Sequence, residues 1–130
     1  MISMKNIIYL FLVSSIAFQA HAELVLVSGK AKQKNYIDTS SIVIKNNPKE
    51  VTYNQLVFFD ENFEIQKFRH SVSVQTNIMN CDTKTWYSGT SVRKTTDQKK
   101  TIEVLDRGTR NVKPVINAGP VKYIYDHYCK

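Results

Sequence analysis

Few side chains in this sequence carry chemistry, and their spacing decides which kind. Beyond the first 22 positions there are two histidines, His70 and His127. With Lys67 close to the first, they form the set a small basic ribonuclease would use, one imidazole taking a proton and the other giving one. Nothing in their spacing brings them together. His70 also falls on the apolar side of a strand pattern, where a histidine is ordinarily packed and hydrogen-bonded. No catalytic residue is assigned, and the chain reads as a non-enzyme. There is no Gly-x-Ser-x-Gly, no His-Glu-x-x-His and no glycine-rich phosphate loop. Asp60, Asn62 and Glu64 match a calcium loop weakly, since such a loop needs more oxygen ligands at fixed steps; they read as a solvated connection. No metal and no cofactor is expected.

The two cysteines, Cys81 and Cys129, admit three uses: a metal pair, a nucleophile or a disulfide. A metal site would need further Cys or His at ligand spacing, and none is there. Two cysteines permit one intramolecular pairing, and an oxidising compartment favours it. Closing a loop of 48 sequence steps stabilises by about 4 kcal/mol in the chain-entropy account.

The basic residues say more. From Lys84 to Lys113 there are eight Lys+Arg against three Asp+Glu. Arg93-Lys94 and Lys99-Lys100 bracket a hairpin end, and Arg107, Arg110 and Lys113 follow. Lys67 and Arg69 project from the polar side of the strand pattern that starts at Gln66. If the two segments pair, Lys67, Arg69, Arg93 and Lys94 share one surface. These four are the candidate partner-binding residues, and their chemistry suits an acidic partner. The competing reading is that the charge only keeps a small domain soluble.

The positions that carry these residues belong to a chain of 130 residues with formal net charge +7 and 42% hydrophobic content. That is too short for a multidomain enzyme and too apolar for a disordered chain. Met1–Lys5 carries one positive charge, Ile7–Phe18 is almost wholly apolar, and Ala20-His21-Ala22 presents small residues where a signal peptidase reads. This is the order of a bacterial secretory signal peptide, residues 1–22, cut after Ala22. Twelve apolar residues fall short of the roughly 20 a spanning helix needs, so no membrane span is expected. The first cysteine is Cys81, so no lipid anchor is expected at the new N-terminus. What remains, residues 23–130, has lost one positive charge and forms one domain. Export demotes nucleic acid as a partner.

Its pattern is mostly strand. Leu24–Val27 is a short strand, Ser28–Asn35, with Lys30, Lys32 and Lys34 alternating, is a polar connection or an edge, and Tyr36–Asp38 is a brief strand or turn entry. Asp38–Ser41 favours a tight turn through local side-chain bonds to the backbone. Ile42–Ile44 follows, then a turn at Asn46-Asn47-Pro48. Glu50–Phe59 is apolar on both faces, which predicts cover on both sides. Gln66–Asn80 has the clearest period of two, with Phe68, His70, Val72, Val74, Thr76 and Ile78 on one side. Lys84–Thr95 is its hairpin partner, with Trp86 and Val92 on one face, then a charged turn and a strand at Thr101–Leu105. At the C-terminus Val121, Ile124, Tyr125 and Tyr128 recur at helical spacing behind Gly119-Pro120, predicting a helix of about ten residues. The expected fold is α+β: a small antiparallel sheet of about five or six strands, a C-terminal helix on one face and one disulfide.

Asn35-Tyr36-Ile37-Asp38 with Ser41-Ile42, the two-sided apolar strand ending near Asp60, Phe68 and Ser71-Val72 leading to Asn80-Cys81, and Cys129 closing a Tyr-rich segment resemble the bacterial surface-adhesin protein E family. The likeness covers about Asn35 to Cys129. It implies a small antiparallel sheet with a packed helix, a Cys81–Cys129 disulfide, no catalytic residues, a capacity to form a homodimer as family members can, and adhesion to host extracellular-matrix proteins. The sequence departs from lipid-anchored members in having no lipidation cysteine, which favours a periplasmic or secreted product. The functional expectation is an exported binding protein that takes protein or acidic-glycan partners through a basic sheet face. The alternatives are a periplasmic accessory protein of the envelope and, more remotely, a small secreted ribonuclease.

Overall fold

The computed structural model describes residues 23–105 and 111–130. Residues 1–22, expected to be a signal peptide, and the basic residues Arg107 and Arg110 lie outside the described residues. Six strands follow one another in a single antiparallel sheet in chain order: β1 (Leu24–Lys30), β2 (Gln33–Lys45), β3 (Glu50–Phe59), β4 (Ser71–Asn80), β5 (Thr85–Thr95) and β6 (Thr101–Leu105). A two-residue strand, β7 (Lys113–Pro114), adds to the other end of β5. The C-terminal helix α1 (Gly119–Ile124) runs on into a wider π turn, Tyr125–Cys129, and the Cys81–Cys129 disulfide ties it back to the end of β4. The expected α+β sheet with a single helix and one disulfide is what the chain forms.

Several elements differ from the sequence pattern for identifiable reasons. Of the two readings of the polar run after Val27, edge and connection, the edge holds for most of it. β1 continues to Lys30 and turns over two residues into β2. The turn expected at Asp38–Ser41 is a bulge inside the 13-residue β2. Its local bonds form as anticipated: the Ser40 N–H and hydroxyl both donate to Asp38 Oδ1, at 3.1 and 2.6 Å. They widen the strand without reversing it. A second bulge lies opposite Gln75–Asn77 in β5, where Gly89 approaches the Thr76 carbonyl. It shifts alternation, so Trp86 and Val92 occupy opposite faces instead of one.

The helix covers the face formed by Ile37, Val51, Tyr53 and Met79, burying Val121 and Ile124 against them. Buried Leu56 and Val57 fall on opposite sides of β3, which has the two-sided cover its sequence predicted. β4 corrects a simpler expectation. Its face of Ser71, Ser73, Asn77 and Met79 is the one turned toward the helix side, and all four are buried. The valine side faces away and joins an apolar row crossing all six strands: Leu26, Tyr36, Leu56, Val74, Val92 and Val104.

Candidate functional site

The strand predicted from Gln66 starts only at Ser71, and the four basic candidates therefore do not form one sheet face. His70 takes a left-handed φ of 54° and is exposed, not packed on an apolar face. Phe68 turns inward to join Phe59 and Phe63, with ring centroids 5.1 and 4.5 Å from Phe59. This draws Gln66–Phe68 into a 3-10 turn. Lys67 lies in that turn and Arg69 directly after it, both exposed. The Arg69 Nε donates to the Phe63 carbonyl at 2.6 Å.

Arg93 is a brace. Its Nε and Nη2 donate to Glu103 Oε2 at 3.4 and 3.2 Å, and its Nη1 donates to the Lys67 carbonyl at 2.7 Å. The guanidinium carbon lies 5.6 Å from the Phe68 ring centre, and the Lys67 ammonium lies 5.0 Å from it. Lys94, next along β5, is opposite Val72 and so belongs to the other face. The structure thus gathers Lys67, Arg69 and Arg93 at one end of the sheet and leaves Lys94 apart. Acids gather at that end too. Lys32 Nζ binds Glu64 Oε1 at 3.1 Å. The Glu64 carboxyl is held below the usual carboxylate range, first by its own backbone N–H and then by Lys32. Interspersed opposite charges of this kind cancel at short range.

A second group of positive charges lies at the opposite, disulfide-bonded end. Lys84 sits at the tip of the β4–β5 turn with φ of 55°, and its carbonyl accepts from Val115 N–H at 2.9 Å. That bond sets the segment after β7 beside the helix. Lys84 and Lys130 place their ammoniums 5.9 and 5.7 Å from the Tyr125 ring centre. Lys113 lies 5.3 Å from that of Trp86. Lys122 and Lys130 grip the two oxygens of one carboxylate, Asp126, at 2.8 and 3.2 Å. Those contacts, Lys122 first, hold the Asp126 carboxyl below its usual range. Together Lys84, Lys122, Tyr125, Asp126 and Lys130 line a depression of about 230 Å³. Three lysine side chains and one acidic side chain line it. The linear pattern hid this group, because Lys122 and Lys130 are ordinary exposed helix lysines until the disulfide sets the π turn beside Lys84.

The two histidines stand at opposite ends of β4. His70 precedes its first residue. His127 is two residues from Cys129, which is bonded to Cys81 beyond the last. Ten strand residues separate these ends by roughly 30 Å. His127 Nδ1 lies 2.8 Å from the Tyr123 carbonyl oxygen, with its ring stacked on Tyr123 at 4.0 Å. The proton-transfer pair is not assembled. Among the described residues no three His, Cys, Asp or Glu side chains come together as a metal cage. No helix among them is long and apolar enough to cross a membrane. No family model, curated protein or solved structure matches this chain.

Proposed function

We propose that this chain is an exported, non-enzymatic bacterial binding protein that takes acidic partners, acidic glycans or acidic segments of host matrix proteins, at the disulfide-bonded end of its sheet. The observation that supports this reading is the depression where Lys84, Lys122 and Lys130 converge, with Asp126 as the one acidic side chain among the described lining residues. Like charges held together without matched acids raise the local potential and draw an anion. Tyr125 supplies an aromatic surface between two of the ammoniums. The residues first singled out have different roles in this proposal. Arg93 braces the loop, and Lys67 and Arg69 offer a secondary contact near acids that offset them.

Heparin binding at moderate salt tests this. Lys84→Glu with Lys130→Glu is expected to weaken binding at least roughly tenfold and to flatten its salt dependence. Asp126→Asn is expected to strengthen binding, because it removes the one opposing charge. Lys67→Glu with Arg69→Glu is expected to matter less. Binding that is unchanged in the Lys84/Lys130 variant, or weakened in Asp126→Asn, overturns the assignment.

A further inference from the structure

Two polar rows cross the helix-bearing face of the sheet, and they differ in one respect. The first is saturated. Gln55 Nε2 donates to Asn35 Oδ1 at 3.2 Å, Asn77 Nδ2 to Gln55 Oε1 at 3.0 Å, and Ser88 Oγ to Asn77 Oδ1 at 2.8 Å. The second, nearer the loop end, holds Ser73, Gln75 and Ser91, with Gln75 opposite Ser91 by register. None of these three side chains has a hydrogen-bond partner among the described residues. All three line a recess of about 150 Å³. Ser73 as a residue is only 6% exposed, so what remains open of it faces the recess its side chain lines. Phe59 and Phe68 form one wall. The Arg93–Glu103 pair forms another, in which Arg93 takes Glu103 Oε2 and no described group takes Oε1.

We infer that this recess binds an uncharged pyranose ring, a site separate from the lysine depression. The wall charges cancel, and Arg93 has its Nε and both terminal nitrogens engaged, so nothing there selects an anion. A carboxamide, two hydroxyls and a free carboxylate oxygen can both donate to and accept from ring hydroxyls. The phenylalanine wall suits the C–H side of a sugar. The volume equals about five waters at ~30 Å³ each, which is room for one ring and well below the ~300 Å³ where drug-sized pockets begin. An extended peptide fits less well, because peptides dock by pairing with a strand edge. Ser73, Gln75 and Ser91 lie on β4 and β5, which are paired on both sides along this stretch.

The test is a titration of the uniformly ¹⁵N-labelled protein with the methyl pyranosides of glucose, galactose, mannose and N-acetylglucosamine. Amide shifts confined to Phe68, Ser73, Gln75 and Ser91, with a dissociation constant of about 1 mM for at least one sugar, support the site. Gln75→Ala and Ser91→Ala are each expected to weaken that sugar roughly fivefold or more. Lys84→Glu is expected to leave it unchanged, which separates this site from the acidic-partner site. Should Gln75→Ala disturb the fold, Ser91→Ala removes a single hydroxyl and decides alone. No shift with any of the four at about 50 mM, shifts centred elsewhere, or shifts produced only by short peptides overturns the inference.

Discussion

Asn77 and Tyr53 face each other across β3 and β4, both fully buried, and they meet that burial differently. The Asn77 amide donates through Nδ2 to Gln55 and accepts through Oδ1 from Ser88, so both its polar atoms have a partner. The Tyr53 hydroxyl has no hydrogen-bond partner among the described residues. Burial pushes its pKa up to about 12, partly offset by the nearby Asn77 amide. A pKa raised in the folded state favours the neutral phenol. That contribution is complete below the unfolded value of about 10 and is lost as pH climbs toward 12. Tyr53→Phe removes both the unpaired hydroxyl and the titration. Its stability is expected to equal or slightly exceed that of the parent at pH 7, and to escape roughly 2 kcal/mol of the parent's loss between about pH 10 and pH 12. Urea melts of both proteins across that range check this. Parallel curves would mean that Tyr53 does not titrate there.

At the scale of elements, β3 was legible to its ends, because an apolar run bounded by Pro48 and Asp60 leaves little choice. β4 was legible in part. Its period of two is real from Ser71 onward, but Phe68 has a better use in the aromatic cluster than in strand alternation, and a left-handed residue at 70 ends the extension. Which side of β4 meets the helix was not legible at all. Period two separates two faces without saying which is covered, and a buried polar row passes for a solvent face until Gln55 and Ser88 are seen to satisfy Asn77. The helix was placed correctly but not wound correctly: six α residues give way to a π turn of five. The disulfide anchors that turn. Replacing Cys81 and Cys129 by serine is expected to lower stability by about 4 kcal/mol, the chain-entropy value for this loop. It is also expected to collapse hydrogen-exchange protection across Tyr123–Tyr128 before that of β3 and β4. Protection of the terminal turn matching that of the central strands would show that packing alone holds it.

The whole molecule is a sheet with unlike ends. One end carries the helix, the disulfide and the lysine-lined depression. The other carries an aromatic loop with the Lys32–Glu64 and Arg93–Glu103 ion pairs beside it. The proposed export predicts that the protein recovered from producing cells starts at Glu23, with 1–22 removed. N-terminal sequencing of periplasmic, surface and medium fractions checks it. A product retaining Met1 in the cytoplasm would remove the oxidising compartment that the disulfide calls for. Recovery only from the periplasm, in complex with an envelope component, would turn the proposal from adhesion to the accessory role.

The sequence by itself determined the strand-rich class, the helical end and the one available cysteine pairing, because periodicity, turn residues and count are local or combinatorial properties. It also showed that positive charge dominates. Which charges act together was decided by the tertiary structure alone. Arg93 and Lys94 are neighbours in the chain, yet strand alternation puts them on opposite faces. Lys84 and Lys130 are far apart in the chain, yet one disulfide and one backbone hydrogen bond bring them to the same ring. The polar row at Ser73, Gln75 and Ser91 likewise reads as surface in sequence. Only the register of β4 on β5, with Phe68 folded over it, turns those residues into the lining of a recess.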